Sequence, residues 1–182
     1  MRVHAAHTDR SLFLAFRVRD QFVDASERDA KAPWSNDSVE VYINGDHRSN
    51  DSVPGFIFPC VPLGNREGFQ LIADAGGHQS TRATGFTDAD WKLGTSRTAD
   101  GYIIEFEIPL ALIDTRDGPE HVPATSGSEL LVNFEVTDND ASVSDQTDYG
   151  IFWAEDPGLS PQEGGEDFWT VSLRLVPKPV GP

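Results

Sequence analysis

The chain has 182 residues, 38% of them hydrophobic and 10% aromatic, with one cysteine and a formal net charge of −16. A chain of that length buries about two thirds of its unfolded surface in a single core, and the lone Cys60 excludes an internal disulfide, a cysteine-rich zinc site and a CxxC pair. Fourteen basic residues against thirty acidic ones argue against nucleic acid or an anionic membrane as partner, and suit a neutral ligand, a metal cation or plain solvation.

No apolar run reaches the roughly 20 residues of a membrane helix. The opening Met1-Arg2-Val3-His4 lacks the apolar stretch of a signal peptide.

Two-residue alternation recurs through the chain and predicts strands. Leu12, Leu14, Phe16 and Val18 alternate with Phe13, Ala15, Arg17 and Arg19. Val39, Val41 and Ile43 alternate with Glu40 and Tyr42, and Phe69, Leu71 and Ala73 with Gln70 and Ile72. Tyr102, Ile104, Phe106 and Ile108 form one set, Leu130, Val132, Phe134 and Val136 another, and Trp169, Val171, Leu173 and Leu175 the last. Weaker strands are expected near 3–7, 81–86, 92–98 and 149–154. Turn-forming stretches separate the runs: Asn44-Gly45-Asp46, Asp74 to Gly77, Asp100-Gly101 and Asp138-Asn139-Asp140. Pro109 to Ile113 is the one short helix expected, with proline near its first turn. The polar, proline-rich segment Asp46 to Glu67 reads as a large surface loop. These features predict an all-β, antiparallel β-sandwich of the jelly-roll or immunoglobulin-like kind, with long loops and at most one short helix. One domain is expected over 1–176, followed by an extended tail over 177–182.

The most informative stretch is Pro33-Trp34-Ser35-Asn36-Asp37-Ser38-Val39-Glu40-Val41-Tyr42-Ile43. A tryptophan precedes a strand and a glutamate follows on that strand. A pyranose offers an apolar C–H face to an aromatic plane, and its hydroxyls donate to a carboxylate. An indole beside an acid therefore fits a neutral polyol better than an anion.

This stretch resembles the hallmark of the family 9 carbohydrate-binding modules. The resemblance extends through Leu12 to Asp20, Gly68 to Leu71, Gly101 to Pro109, Val132 to Asp140, and Ile151-Phe152-Trp153 with Asp156-Pro157. It implies a non-catalytic sandwich that binds plant-type β-glucan or xylan, or their chain ends, within a larger secreted or cell-surface protein. It also implies a sugar ring held between two tryptophans, and calcium ions steadying loops. Trp34 falls on the first clamp tryptophan and Glu40 on a hydroxyl-binding acid. Gln70 stands where ligand-binding members carry arginine, and Glu135 where they carry glutamine. The loop expected to hold the second tryptophan, Gly158 to Asp167, contains no aromatic residue.

Each of these residues has a plainer reading. Trp34 could cover the end of the sandwich, and Glu40 could be solvated. Trp153 and Trp169 alternate with apolar residues and read as core, while Trp91 reads as an edge aromatic covering the sheet. Asp138 and Asp140 are the candidate calcium ligands, with Asp20, Asp24, Asp37 and Asp74 as further oxygen donors. The alternative is that these side chains cap backbone N–H groups. The five histidines are scattered, which disfavours zinc, and the only methionine is Met1, which disfavours haem. Two other functions remain: a glycoside hydrolase using Glu40 and Glu135 as its carboxylate pair, and an adhesion or assembly domain with no sugar ligand.

Overall fold

A computed structural model describes residues 1–24, 36–44, 55–60, 69–71, 91–113, 127–139, 149–152 and 171–176. These form strands β1 (Arg2–His7), β2 (Ser11–Arg19), β3 (Ser38–Asn44), β4 (Gly55–Cys60), β5 (Phe69–Leu71), β6 (Lys92–Thr98) and β7 (Gly101–Pro109), and helix α1 (Leu110–Ile113). Strands β8 (Glu129–Asp138), β9 (Tyr149–Phe152) and β10 (Val171–Arg174) follow. One sheet has the order β1-β2-β7-β6 and the other β10-β8-β3-β4-β5, with β9 pairing the far half of the β8 edge that β10 begins. Every described pairing is antiparallel. The expected all-β antiparallel sandwich, with at most one short helix, is the observed fold.

The alternation decides which face of each sheet turns inward, because successive side chains of a strand point to opposite sides. Leu12, Leu14, Phe16 and Val18 of β2, and Tyr102, Ile104, Phe106 and Ile108 of β7, are buried in one cluster. Val39, Val41 and Ile43 of β3, and Leu130, Val132, Phe134 and Val136 of β8, join it from the other sheet. Phe16 is the hinge of the cluster. Its ring meets Phe106 edge-on with centroids 5.7 Å apart, and Phe134 of the opposite sheet at 5.1 Å. Trp91 belongs to this core as well: it is 1% exposed and stacks on Phe106 at 5.8 Å with 10° between planes.

The β6–β7 hairpin shows why one glycine is needed. Gly101 has φ of 142°, and a Cβ there would come within 2.2 Å of the Val18 carbonyl oxygen. Asp100 beside it accepts from Arg17 at 3.1 Å, pairs with Arg19 at 3.2 Å and accepts from the Thr98 hydroxyl at 3.1 Å. The Arg17 hydrogen bond leads in holding its carboxyl below the ordinary carboxylate range.

Trp91, buried in the core, departs from the edge aromatic expected, and a second expectation fails in part. The segment Asp46 to Glu67 is not loop throughout, since β4 lies within it and pairs with β3 on one side and β5 on the other. The cue was weak because the apolar run Phe56-Ile57-Phe58 is short and Pro59 interrupts it. Pro59 lacks the N–H that a central strand normally uses. The expected strand near 81–86 and the tail 177–182 lie outside the described residues.

Candidate functional site

The outward face of β3 and β8 carries the candidate residues. Register places Ser38 opposite Thr137, Glu40 opposite Glu135, and Tyr42 opposite Asn133. These positions alternate with the core residues, so ordinary sandwich logic would leave them in water. Instead Ser38, Glu40, Tyr42, Asn133 and Thr137 are all buried, and only Glu135 is half-exposed. The face is a polar layer withdrawn from bulk solvent, which is costly unless its groups are satisfied by one another or by a ligand.

Tyr42 organises this layer. Its hydroxyl lies 2.6 Å from Glu40 Oε2 and 2.9 Å from Glu135 Oε2. A hydroxyl has one hydrogen to donate, so the second of these contacts needs a proton on a carboxyl. Glu40 is the group that holds it. Burial, together with the neighbouring Glu135 charge, outweighs the Tyr42 hydrogen bond and pushes the Glu40 carboxyl up to about 7. Burial and the two carboxylates raise the Tyr42 phenol well above its ordinary value, so it stays a hydroxyl. Protonated Glu40 can donate to the Tyr42 oxygen, and Tyr42 in turn to Glu135. Glu135 is the half-exposed end of the chain.

The approach to β3 is equally enclosed. Asp37 accepts from the backbone N–H of Asp24 at 2.6 Å and from that of Asn139 at 2.8 Å, and its own N–H donates to the Asp24 carbonyl at 3.0 Å. It thus ties the segment after β2 and the turn after β8 to the start of β3. Burial leads in pushing its carboxyl up to about 7, against these two hydrogen bonds, and Asp20 adds to the rise. Asn36 Oδ1 and Ser38 Oγ are buried with no hydrogen-bond partner among the described residues.

Of the residues expected from sequence, Glu40 and Glu135 are brought together. Trp34 lies outside the described residues, as do Asp140, Asp74, Trp153 and Trp169. Gln70 is described only in its backbone, which pairs with Phe56, the partner of Ile43. Asp138 is half-buried at the end of β8. As for calcium, Asn36 Oδ1 is the kind of hard oxygen that ion takes. Among the described residues, however, no three Asp, Glu, His or Cys side chains converge to hold a metal. Tyr42 was not assigned from sequence, whereas Asp37 takes the alternative read there, accepting backbone N–H groups. The signal for Tyr42 was its position two residues from Glu40, on the same face of a strand.

The sheet order and the withdrawn polar face define a β-sandwich with a candidate ligand face on its larger sheet. A family model described as carbohydrate family 9 binding domain-like matches residues 2–173. The chain belongs to that family. No curated protein matches it. Among solved structures, it is similar to a family 9 carbohydrate-binding module from Caldicellulosiruptor kristjanssonii in complex with glucose. That match has a TM-score of 0.69 and 14% identity, over 99% of this chain and 78% of that one. A family 9 module from the same organism in complex with cellotriose matches with a TM-score of 0.62 and 16% identity, over 99% and 80% of the two chains. A putative carbohydrate-binding protein from Bacteroides uniformis matches with a TM-score of 0.62 and 16% identity, over 85% and 71%.

Proposed function

We propose that the chain is a non-catalytic module that binds a neutral β-linked oligo- or polysaccharide at the outward face of β3 and β8. The observation that carries this reading is the Glu40–Tyr42–Glu135 chain of hydrogen bonds on a buried polar face, in a member of a carbohydrate-binding family. Glu40 and Tyr42 form the supporting layer, and Glu135 presents its carboxylate to hydroxyls. Trp34, two residues before the buried Asn36, supplies the stacking plane, and Gln70 is a further contact. The similar modules from Caldicellulosiruptor kristjanssonii hold glucose and cellotriose, so cellotriose is the first ligand to try. Calorimetric titration should detect binding, Trp34→Ala should abolish it, and no reducing sugar should be released. Absence of heat across glucan and xylan oligomers would sink the reading.

A hydrolase is the weaker reading. A glycosidase needs open space between its two carboxyl groups for the sugar carbon and, in inverting enzymes, a water. Here the Tyr42 hydroxyl fills the gap between Glu40 and Glu135. A structural calcium ion at the turn Asp138-Asn139-Asp140 is a separate proposal. It rests on the half-buried Asp138 and on the orphaned oxygen of Asn36.

A further inference from the structure

The outward face of the smaller sheet breaks the rule that this side of an antiparallel sheet is polar. Register builds two neighbouring rows across it. One runs Ala6, Phe13, Glu107, Lys92, and the next His4, Ala15, Glu105, Gly94. Phe13 is a half-exposed aromatic ring on this face, and the positions around it are the small residues Ala6, Ala15 and Gly94. Together they leave a hollow of about 400 Å³, within the usual range of small-ligand sites.

Gly94 is the telling residue. It lies inside β6, where glycine weakens a strand, and its backbone is not left-handed, since only Gly101 and Gly127 have positive φ among the described residues. A Cβ at Gly94 would meet nothing closer than the Glu105 carboxylate, at 3.4 Å. No backbone constraint therefore calls for glycine here. What its missing side chain does is keep the hollow open beside Glu105. Glycine within a strand marks a bulge, a bend or the close approach of a ligand or another backbone, and the register at Gly94 is regular, with no bulge.

The rim chooses the chemistry. Lys92 is held by Glu107 at 2.9 Å, which cancels one charge of each sign. Glu105 is exposed and joins no ion pair among the described residues, and His4 stands across Ala15 from it. The lining offers one aromatic plane, a carboxylate that accepts hydroxyls and an imidazole that can donate or accept. With Lys92 neutralised by Glu107, the one uncompensated carboxylate disfavours an anion, and an aromatic plane beside hydrogen-bonding groups matches a ring with an apolar face and hydroxyl edges.

We infer that this hollow is a second saccharide-binding site, on the sheet opposite the Glu40 face, in which Phe13 stacks on a neutral sugar ring and Glu105 accepts its hydroxyls. It rests on the carbohydrate reading for its ligand class but not on the Glu40 face for its position. The test is titration of the isotope-labelled protein with cellotriose, followed by amide chemical shifts. Saturable shifts are expected at Ala15, Gly94 and Glu105, and they should persist in Tyr42→Phe. Gly94→Val, which fills the hollow with a strand-favouring residue, should weaken them at least tenfold while core amides stay in place. Glu105→Ala should weaken them with Gly94 intact.

Shifts confined to β3 and β8 would overturn the second site and leave the first standing. Shifts confined to the hollow would support it and remove the Glu40-face reading. Shifts at neither place would overturn both. Shifts with trigalacturonate but not cellotriose would overturn the neutral-sugar assignment. Concentration-dependent shifts at these amides without sugar would show that a second copy of the chain covers the hollow, and would also overturn it.

Discussion

The Tyr42 hydroxyl stands 2.6 Å from the Glu40 carboxylate two residues earlier on the same strand. The two-residue repeat of a strand puts both side chains on one face. The neighbouring β8 brings Glu135 opposite Glu40, so the phenol ends between two acids. Tyr42→Phe keeps the ring and removes only the bridge. It leaves a buried carboxyl short of a partner, a loss of about 1–3 kcal/mol. In a chain of this size that lowers the melting temperature by about 2–4 °C per kcal/mol. Thermal melts of the variant and wild type at pH 6 check this, and an unchanged melting temperature would show that the bridge contributes nothing to stability.

The same set gives a pH dependence with a definite sign. Folded Glu40 keeps its proton up to about 7, against an ordinary value of 4.5. Between those values the folded state binds more protons than the unfolded one, so stability falls as pH rises. The contribution is fully present below 4.5 and is lost as pH passes through about 7. Asp37, raised from 3.8 to about 7, acts in the same direction. Urea denaturation at pH 5, 6, 7 and 8 should show a decline on the order of a few kcal/mol at most. Glu40→Gln, neutral at every pH, should flatten much of that decline. A rise in stability across this window would contradict the protonated Glu40.

Asp37→Ala tests a different linkage. Both Asp37 oxygens accept backbone N–H groups from other segments, so its removal leaves two donors in the interior without their acceptors. The expected cost is about 2–4 kcal/mol, larger than for Tyr42→Phe. Because the clamp fixes the start of β3, cellotriose affinity should fall as well. Denaturant midpoints and calorimetry on one preparation give both numbers.

Much of the fold was legible because apolar residues recur at a period of two along β2, β3, β7 and β8, and that set forms the core. Legibility failed where that pattern is overridden. Pro59 hid β4, since a central strand with a missing donor reads as a loop. Trp91 looked like an edge aromatic because Asp88-Ala89-Asp90 precedes it, yet its stacking on Phe106 draws it into the core. At the candidate site, the family resemblance picked out Glu40 and Glu135, and each lies on the polar side of its strand. It gave no means of seeing that the polar side is buried. That depends on what packs over the sheet, and local periodicity carries no record of it. The Tyr42 bridge follows from that burial and from strand register, so it emerged only in three dimensions.

Calcium makes a prediction that separates it from the clamp. An ion that binds only the folded chain stabilises it by mass action. Dialysis against a chelator should then lower the melting temperature by several degrees, and added calcium should restore it. Asp138→Asn with Asp140→Asn should abolish the response. A melting curve indifferent to chelator would remove the calcium proposal and leave the Asp37 hydrogen bonds in place at this corner.

Phe16→Ala should exceed every polar substitution in cost. The ring is fully buried and meets Phe106 of its own sheet edge-on at 5.7 Å and Phe134 of the opposite sheet at 5.1 Å. Truncation removes the transfer energy of the ring and leaves a cavity that close-packed neighbours cannot collapse into, about 3–5 kcal/mol together. Against a total stability of about 5–15 kcal/mol, that takes a large part of the margin. Phe16→Leu refills most of the volume and should recover more than half of the loss. Neither residue touches the Glu40 face, so the folded fraction of both variants should bind cellotriose with unchanged affinity. Calorimetry at a temperature where Phe16→Ala remains folded decides this. A weakened affinity there would mean that the core and the ligand face are coupled more tightly than their separation on opposite sides of the sheet implies.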